Sequence, residues 1–270
     1  MPPASAPKPE ARFPWDPESL NRASLTINSL RQVLLQRIPA DGPHVQTLLA
    51  AAGALVGFAA QNSALEQGEL LTARRDLVAP ESLMLRRSKA GELFLAGRWI
   101  NAPLLLGYGH GFPLQRFVIQ AAAAVGAQRT AFPDYWEMER RVAKEALEGD
   151  FGFLELSEGR TAAPRPRDLL KVLWPSTRKV MSAPMPLELD DEPMLNEAHW
   201  PIVASVVAAR LIGQTAEAVP PALAASLVME AAFIASKLDP DTVDPGRWML
   251  APGPRGLQIA RDDRRKRAIA

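Results

Sequence analysis

The chain contains no cysteine, which removes disulfides, thiolate metal ligands and thiol nucleophiles together. That suits a reducing compartment, and a cytoplasmic protein is expected. Histidine is nearly as scarce: His44, His110 and His199 stand far apart, and no His-Glu-x-x-His pair occurs. There is no Gly-x-Ser-x-Gly elbow. Ser176 and Lys179 form a Ser-x-x-Lys pair, but the Ser-Asp-Asn and Lys-Thr-Gly elements of penicillin-recognising enzymes are missing. The N-terminus lacks an apolar secretory core, so no signal peptide is expected.

What is present is the balance of an ordinary globular chain. Of its 270 residues 47% are hydrophobic and 23% charged, enough to bury a sizeable core in one large domain or two small ones. The net charge of +1 is unevenly placed. Residues 255–270 carry six Arg/Lys against two Asp, a net of +4, which leaves −3 to the rest. A nucleic-acid-binding globule is therefore not expected, and only the basic tail, with Arg261, Arg264, Arg265, Lys266 and Arg267, offers phosphate contacts.

The chain is organised around residues 47–60, TLLAAAGALVGFAA. Leu48, Leu49, Ala52, Leu55, Val56 and Ala59 recur at helical spacing with Ala and Gly between them, so the helix is apolar nearly all round. From Leu48 to Ala60 it would run about 20 Å, short of the roughly 30 Å of bilayer hydrocarbon. A buried core helix is expected rather than a membrane span. Gly53 and Gly57 form a small-x-x-x-small face for close backbone approach, either within the chain or at a dimer seam.

Six prolines within residues 1–17 exclude helix and sheet there, so residues 1–16 read as an extended arm anchored by Phe13 and Trp15. Asp16-Pro17-Glu18 starts a helix whose apolar face runs from Leu20 to Ile38. Leu83, Leu85, Leu93 and Leu95 alternate around Ser88 to Gly91, which predicts a small β-hairpin near residues 82–97. Helices are predicted over 113–125, 134–149, 167–180 (broken at Trp174-Pro175), 197–214 and 221–238. The fold class is all-α, predominantly helical, with that one hairpin. A single domain is expected over 17–250, with a possible sub-boundary at 149–167 and a poorly packed basic C-terminal tail over 251–270.

Gly57-Phe58-Ala59-Ala60-Gln61, Asn101-Ala102-Pro103-Leu104, Leu173-Trp174-Pro175, and Val228-Met229-Glu230 with the run from Ser236 to Pro240 together give a layout that resembles a group of mostly helical bacterial proteins of unestablished function. The resemblance implies a helical fold with a small hairpin. It carries no active-site residue.

Two features invite a functional reading. Gly107, Gly109, His110 and Gly111 form a glycine-rich loop ahead of a helix, able to present backbone N–H groups and an imidazole to a ligand. It is no dinucleotide fingerprint, because Phe112 stands where the third glycine belongs, and no P-loop lysine follows. The acidic run Glu188, Asp190, Asp191, Glu192, Glu197, with His199 behind it, reads as a solvated loop, so no metal site and no cofactor are expected. Arg210 and Glu230 are the lone charges on the last two apolar helices, and a buried structural ion pair between them is expected. Two classes of function stay open. One is a non-enzymatic interaction or scaffolding protein, a homo-oligomer using the arm, the hairpin or the glycine face. The other is a small-molecule-binding protein or enzyme using residues 107–112 and His110.

Overall fold

A computed structural model describes residues 17–38, 44–73, 78–106, 113–149, 151–155, 164–183, 197–253 and 256–261. Among them eight α-helices and two antiparallel hairpins are present, so the predominantly helical reading holds. The helices are α1 (Pro17–Arg37), α2 (Val45–Ala73), α3 (Arg98–Asn101), α4 (Leu114–Ala124), α5 (Tyr135–Glu148), α6 (Pro166–Met181), α7 (Trp200–Gln214) and α8 (Pro221–Lys237). A π-helical turn, Ala102–Leu106, continues α3. The proline-rich arm lies outside the described residues.

α2 is the axis of the molecule, and its 29 residues are more than twice the predicted apolar segment. Gln61 and Asn62, the polar residues that bound the apolar segment in sequence, are buried inside it, as is Ser63. Two of them serve neighbouring elements. Gln61 Nε2 donates to the carbonyls of Ser236 and Leu238 at 3.1 and 2.6 Å, satisfying the C-terminal end of α8. Asn62 donates to the Phe58 carbonyl and accepts from Trp248 Nε1 at 3.2 Å. The helix is thus long and apolar enough, by length and composition, to cross a membrane, which corrects the length argument above. The whole apolar window is nonetheless buried within this chain.

The glycine face of α2 meets α8. A Cβ added at Gly53 would lie 2.2 Å from the Val228 carbonyl oxygen, and one at Gly57 would lie 2.1 Å from that of Ala232. The spacing of four on both helices stacks two such contacts along one seam, so this face is occupied within the chain. α1 packs chiefly on α6 and α7 rather than lying back along α2 as its short connection suggested. The main core takes side chains from both sides of residues 149–167, and Leu154 of that stretch is part of it. Pro175 does not break α6. It sits on the exposed side, while Trp174 is buried edge-on to Phe58 at 4.5 Å and donates to Asp244.

The first hairpin pairs β1 (Met84–Arg87) with β2 (Leu93–Ala96), inside the predicted span. Gly91 takes φ 89° in its turn. The turn docks on the end of α5: Lys89 N–H donates to the Leu147 carbonyl at 2.9 Å, and Lys89 Nζ pairs with Glu148. The hairpin therefore finds its support within the chain, as the glycine face does.

A second hairpin, β3 (Trp248–Gly253) with β4 (Gly256–Arg261), stands where an irregular, poorly packed tail was expected. Gly253 pairs with Gly256 at its turn end, and Leu257 and Ile259 alternate into a second small core with Ala64, Leu65 and Trp248. Arg261 straps it to α2, pairing with Glu69 at 2.7 Å, Glu66 at 3.5 Å and Glu197 at 3.3 Å. Arg247 joins Glu197 and Asp244 beside it and lies over the rings of Trp200 and Trp248. Residues 262–270 lie outside the described set.

Burial, with Glu197 adding to it and Arg261 opposing, pushes the Glu66 carboxyl from 4.5 up to about 7. The folded state then holds a proton between those values that the unfolded chain has released, so stability is greatest at the acid end and falls as pH rises through 7. We expect the melting temperature to drop between pH 6 and pH 8 by the equivalent of about 1 kcal/mol. Glu66→Gln should abolish that part of the slope. A wild-type profile that Glu66→Gln leaves unaltered would show that Glu66 does not titrate there.

Candidate functional site

The buried polar groups of α5 and α8 fix the strand of chain between α5 and α6. α5 begins at Asp134, whose carboxylate accepts from the N–H groups of Trp136 and Glu137, and ends at Gly149 in the left-handed region, φ 89°. A Cβ at Gly149 would lie 2.6 Å from the Ala90 Cβ, so the hairpin turn closes directly onto this cap. About two turns back, Arg141 reaches Glu230, which has no exposed surface. Arg141 also pairs with Glu145 at 3.2 Å and with Glu155 at 2.7 Å. Glu230 in turn accepts the Glu155 backbone N–H at 3.2 Å. Residues 151–155 are thereby tied to α8, with Leu154 buried and Phe153 turned outward, half exposed.

Phe153 is the platform for Arg165, whose guanidinium carbon lies 3.9 Å from the ring centroid. Arg165 and Arg167 flank Pro166, the first residue of α6. With Arg87 of β1 they line an open cleft of about 520 Å³, floored by residues 151–153 and closed by Leu238, Asp239 and Thr242 beyond α8. Arg87 is steadied by donating to the Gly91 carbonyl at 2.7 Å. Arg167 lies 3.9 Å from the Asp168 carboxylate, at the edge of ion-pair range. Arg165 makes no ion pair among the described residues. Its guanidinium carbon sits over the ring, and no hydrogen bond occupies its N–H groups among the described residues, which leaves them for a ligand.

Two carboxylates share the cleft, Glu92 and Asp239. Burial pushes the Asp239 carboxyl up, opposed by the hydrogen bond from the Asp241 N–H. The chemistry on offer is recognition of an oxyanion by guanidinium forks, with carboxylates placed to accept hydrogen bonds from the same ligand.

The residues singled out in the sequence lie elsewhere. Gly107, Gly109, His110 and Gly111 fall outside the described residues. The Arg210–Glu230 pair is not formed: Arg210 is exposed and donates to Asn28 of α1 at 3.0 Å, while Glu230 is held by Arg141. Counting from the α7–α8 loop assumed that the two helices face each other. Both instead pack on α2 and α4 and touch each other little, so their lone charges leave in different directions. His44 is exposed, and burial lowers the pKa of His199. Ser176 and Lys179 lie along the outer side of α6. Glu197 belongs to the arginine strap, and no cluster of three or more potential metal ligands exists among the described residues.

Arg165 and Arg167 were missed because they sit in the stretch read as a boundary. One signal was present. A helix start favours acidic side chains, yet Arg165-Pro166-Arg167 puts two cations around the first position of α6. No family model matches the chain, and no curated protein or solved structure does.

Proposed function

We propose that the protein is a non-enzymatic interaction protein whose cleft between the first hairpin and α6 holds an anionic group of what it binds. The observation that carries this reading is Arg165, set over the Phe153 ring, lining the cleft and without an ion pair among the described residues. The position is built rather than incidental, because Phe153 is held through residues 151–155 by the buried Glu230. The alternative, a ligand-binding or catalytic loop at residues 107–112 with His110, gains one observation: the π-helical turn Ala102–Leu106 just before it, a geometry frequent at functional sites.

Thermal unfolding in phosphate and in chloride at matched ionic strength tests the cleft. Phosphate is expected to raise the melting temperature, because a ligand at a hundred times its Kd adds about 2.7 kcal/mol. Arg165→Ala should abolish the rise while leaving the chloride value near that of the parent. Equal melting temperatures in both salts contradict the cleft reading. A phosphate effect kept by Arg165→Ala but lost in His110→Ala favours the loop instead.

A further inference from the structure

We infer that the cleft takes a small phosphorylated polyol, its phosphate on Arg165, Arg167 and Arg87 and its hydroxyls on Asp239 and Glu92. This rests on the cleft being an anion site and goes beyond it to the ligand class. An anion without donors satisfies only part of this lining. It meets the guanidiniums but leaves two carboxylates facing it across the same space. A ligand that is anionic at one end and rich in O–H donors at the other matches both sets.

Asp239 is prepared for the second role. One of its oxygens accepts the Asp241 N–H at 3.1 Å and fixes the carboxyl, and the other has no partner among the described residues. A carboxylate oxygen held in this way accepts from sugar hydroxyls, and Thr242, which donates its own hydroxyl to the Asp239 carbonyl, is left as a further acceptor only. Three arginines, from β1 and the start of α6, line this one space, an arrangement with more donors than one carboxylate can use. That arrangement suits a phosphate with three terminal oxygens better than a planar carboxylate with two. The volume, about 520 Å³, lies within the range of small-ligand sites. Burial raises the Asp239 carboxyl, which favours neutral hydroxyl donors over a second full charge at that end.

Titration calorimetry on the full chain decides the point, with ribose 5-phosphate, ribose, inorganic phosphate, malonate and O-phosphoserine as probes. Ribose 5-phosphate is expected to bind at least tenfold tighter than inorganic phosphate, and ribose alone to give no measurable heat. Asp239→Asn keeps the oxygen that caps the Asp241 N–H, so it should fold as the parent does and bring ribose 5-phosphate down to the level of phosphate. Arg165→Ala should weaken both phosphates at least tenfold. Adenosine 5′-monophosphate distinguishes sources: tighter binding than ribose 5-phosphate identifies the polyol as that of a nucleotide, weaker binding a free sugar phosphate. Equal affinity for phosphate and ribose 5-phosphate overturns the polyol assignment and leaves the anion site standing. O-phosphoserine binding tightest overturns it in favour of an ammonium at Asp239. Malonate binding without either phosphate overturns the phosphate assignment alone. No binding of any anion removes the cleft reading with it.

Discussion

Glu139→Ala is expected to lower stability by about 3–5 kcal/mol. Glu139 of α5 pairs with Lys237 of α8 at 2.7 Å, and Lys237 is only 1% exposed. Asn101 Nδ2 donates to the same Glu139 oxygen at 3.1 Å, so the carboxylate satisfies two buried donors. Removing it strands an ammonium in the core, which must then lose its proton or reach water by partial unfolding. Folded domains rarely hold more than about 5–15 kcal/mol in total, so one such change takes a large share of it. The pair itself contributes little net stability, because desolvating two charges offsets most of their attraction. The double change Glu139→Leu with Lys237→Met should therefore recover most of the loss. Urea unfolding of the parent and the two variants checks this. A Glu139→Ala midpoint within experimental error of the parent would mean that Lys237 reaches solvent.

Gly57→Ala is expected to destabilise by roughly 2–3 kcal/mol, against the direction of helix propensity. Alanine in place of a mid-helix glycine ordinarily gains about 1 kcal/mol. Here the new methyl group would fall 2.1 Å from the Ala232 carbonyl oxygen, and a backbone atom in a packed helix cannot swing aside as a flexible side chain does. α8 must move away from α2, which loosens the apolar contacts along the seam. Gly53→Ala meets the Val228 carbonyl in the same way, so the two changes share one mechanism. Gly213 near the end of α7 is the control, since nothing lies within 4 Å of its added Cβ. Gly213→Ala should be neutral or stabilising. Chemical denaturation of the set checks this, and a stabilising Gly57→Ala would show that the two helices do not approach so closely.

The helices other than α3, and the first hairpin, were legible because each carries its signal locally. The face from Ala23 to Ile38, the Asp134 cap and the turn at Gly91 are properties of a few consecutive residues. What escaped depends on distant partners. Gln61 and Asn62 look like a helix end until the α8 carbonyls and Trp248 that use them are in place. Leu257 and Ile259 make too short an alternation to outweigh the charge that follows, yet they are the inner face of a strand. Glu230 was identified as a buried carboxylate, but its partner came from α5, a helix not considered for it. The cleft is the extreme case. It joins the first hairpin, Gly149, residues 151–153, the start of α6 and the residues just after α8, and no window of sequence contains it.

Hydrogen exchange with and without saturating phosphate tests the central claim, that an anionic group sits in this cleft on Arg165, most directly. Added protection confined to residues 87–93, 151–153 and 165–167, and absent in Arg165→Ala, is the predicted result. Protection that appears elsewhere, or that persists unchanged in Arg165→Ala, would contradict it.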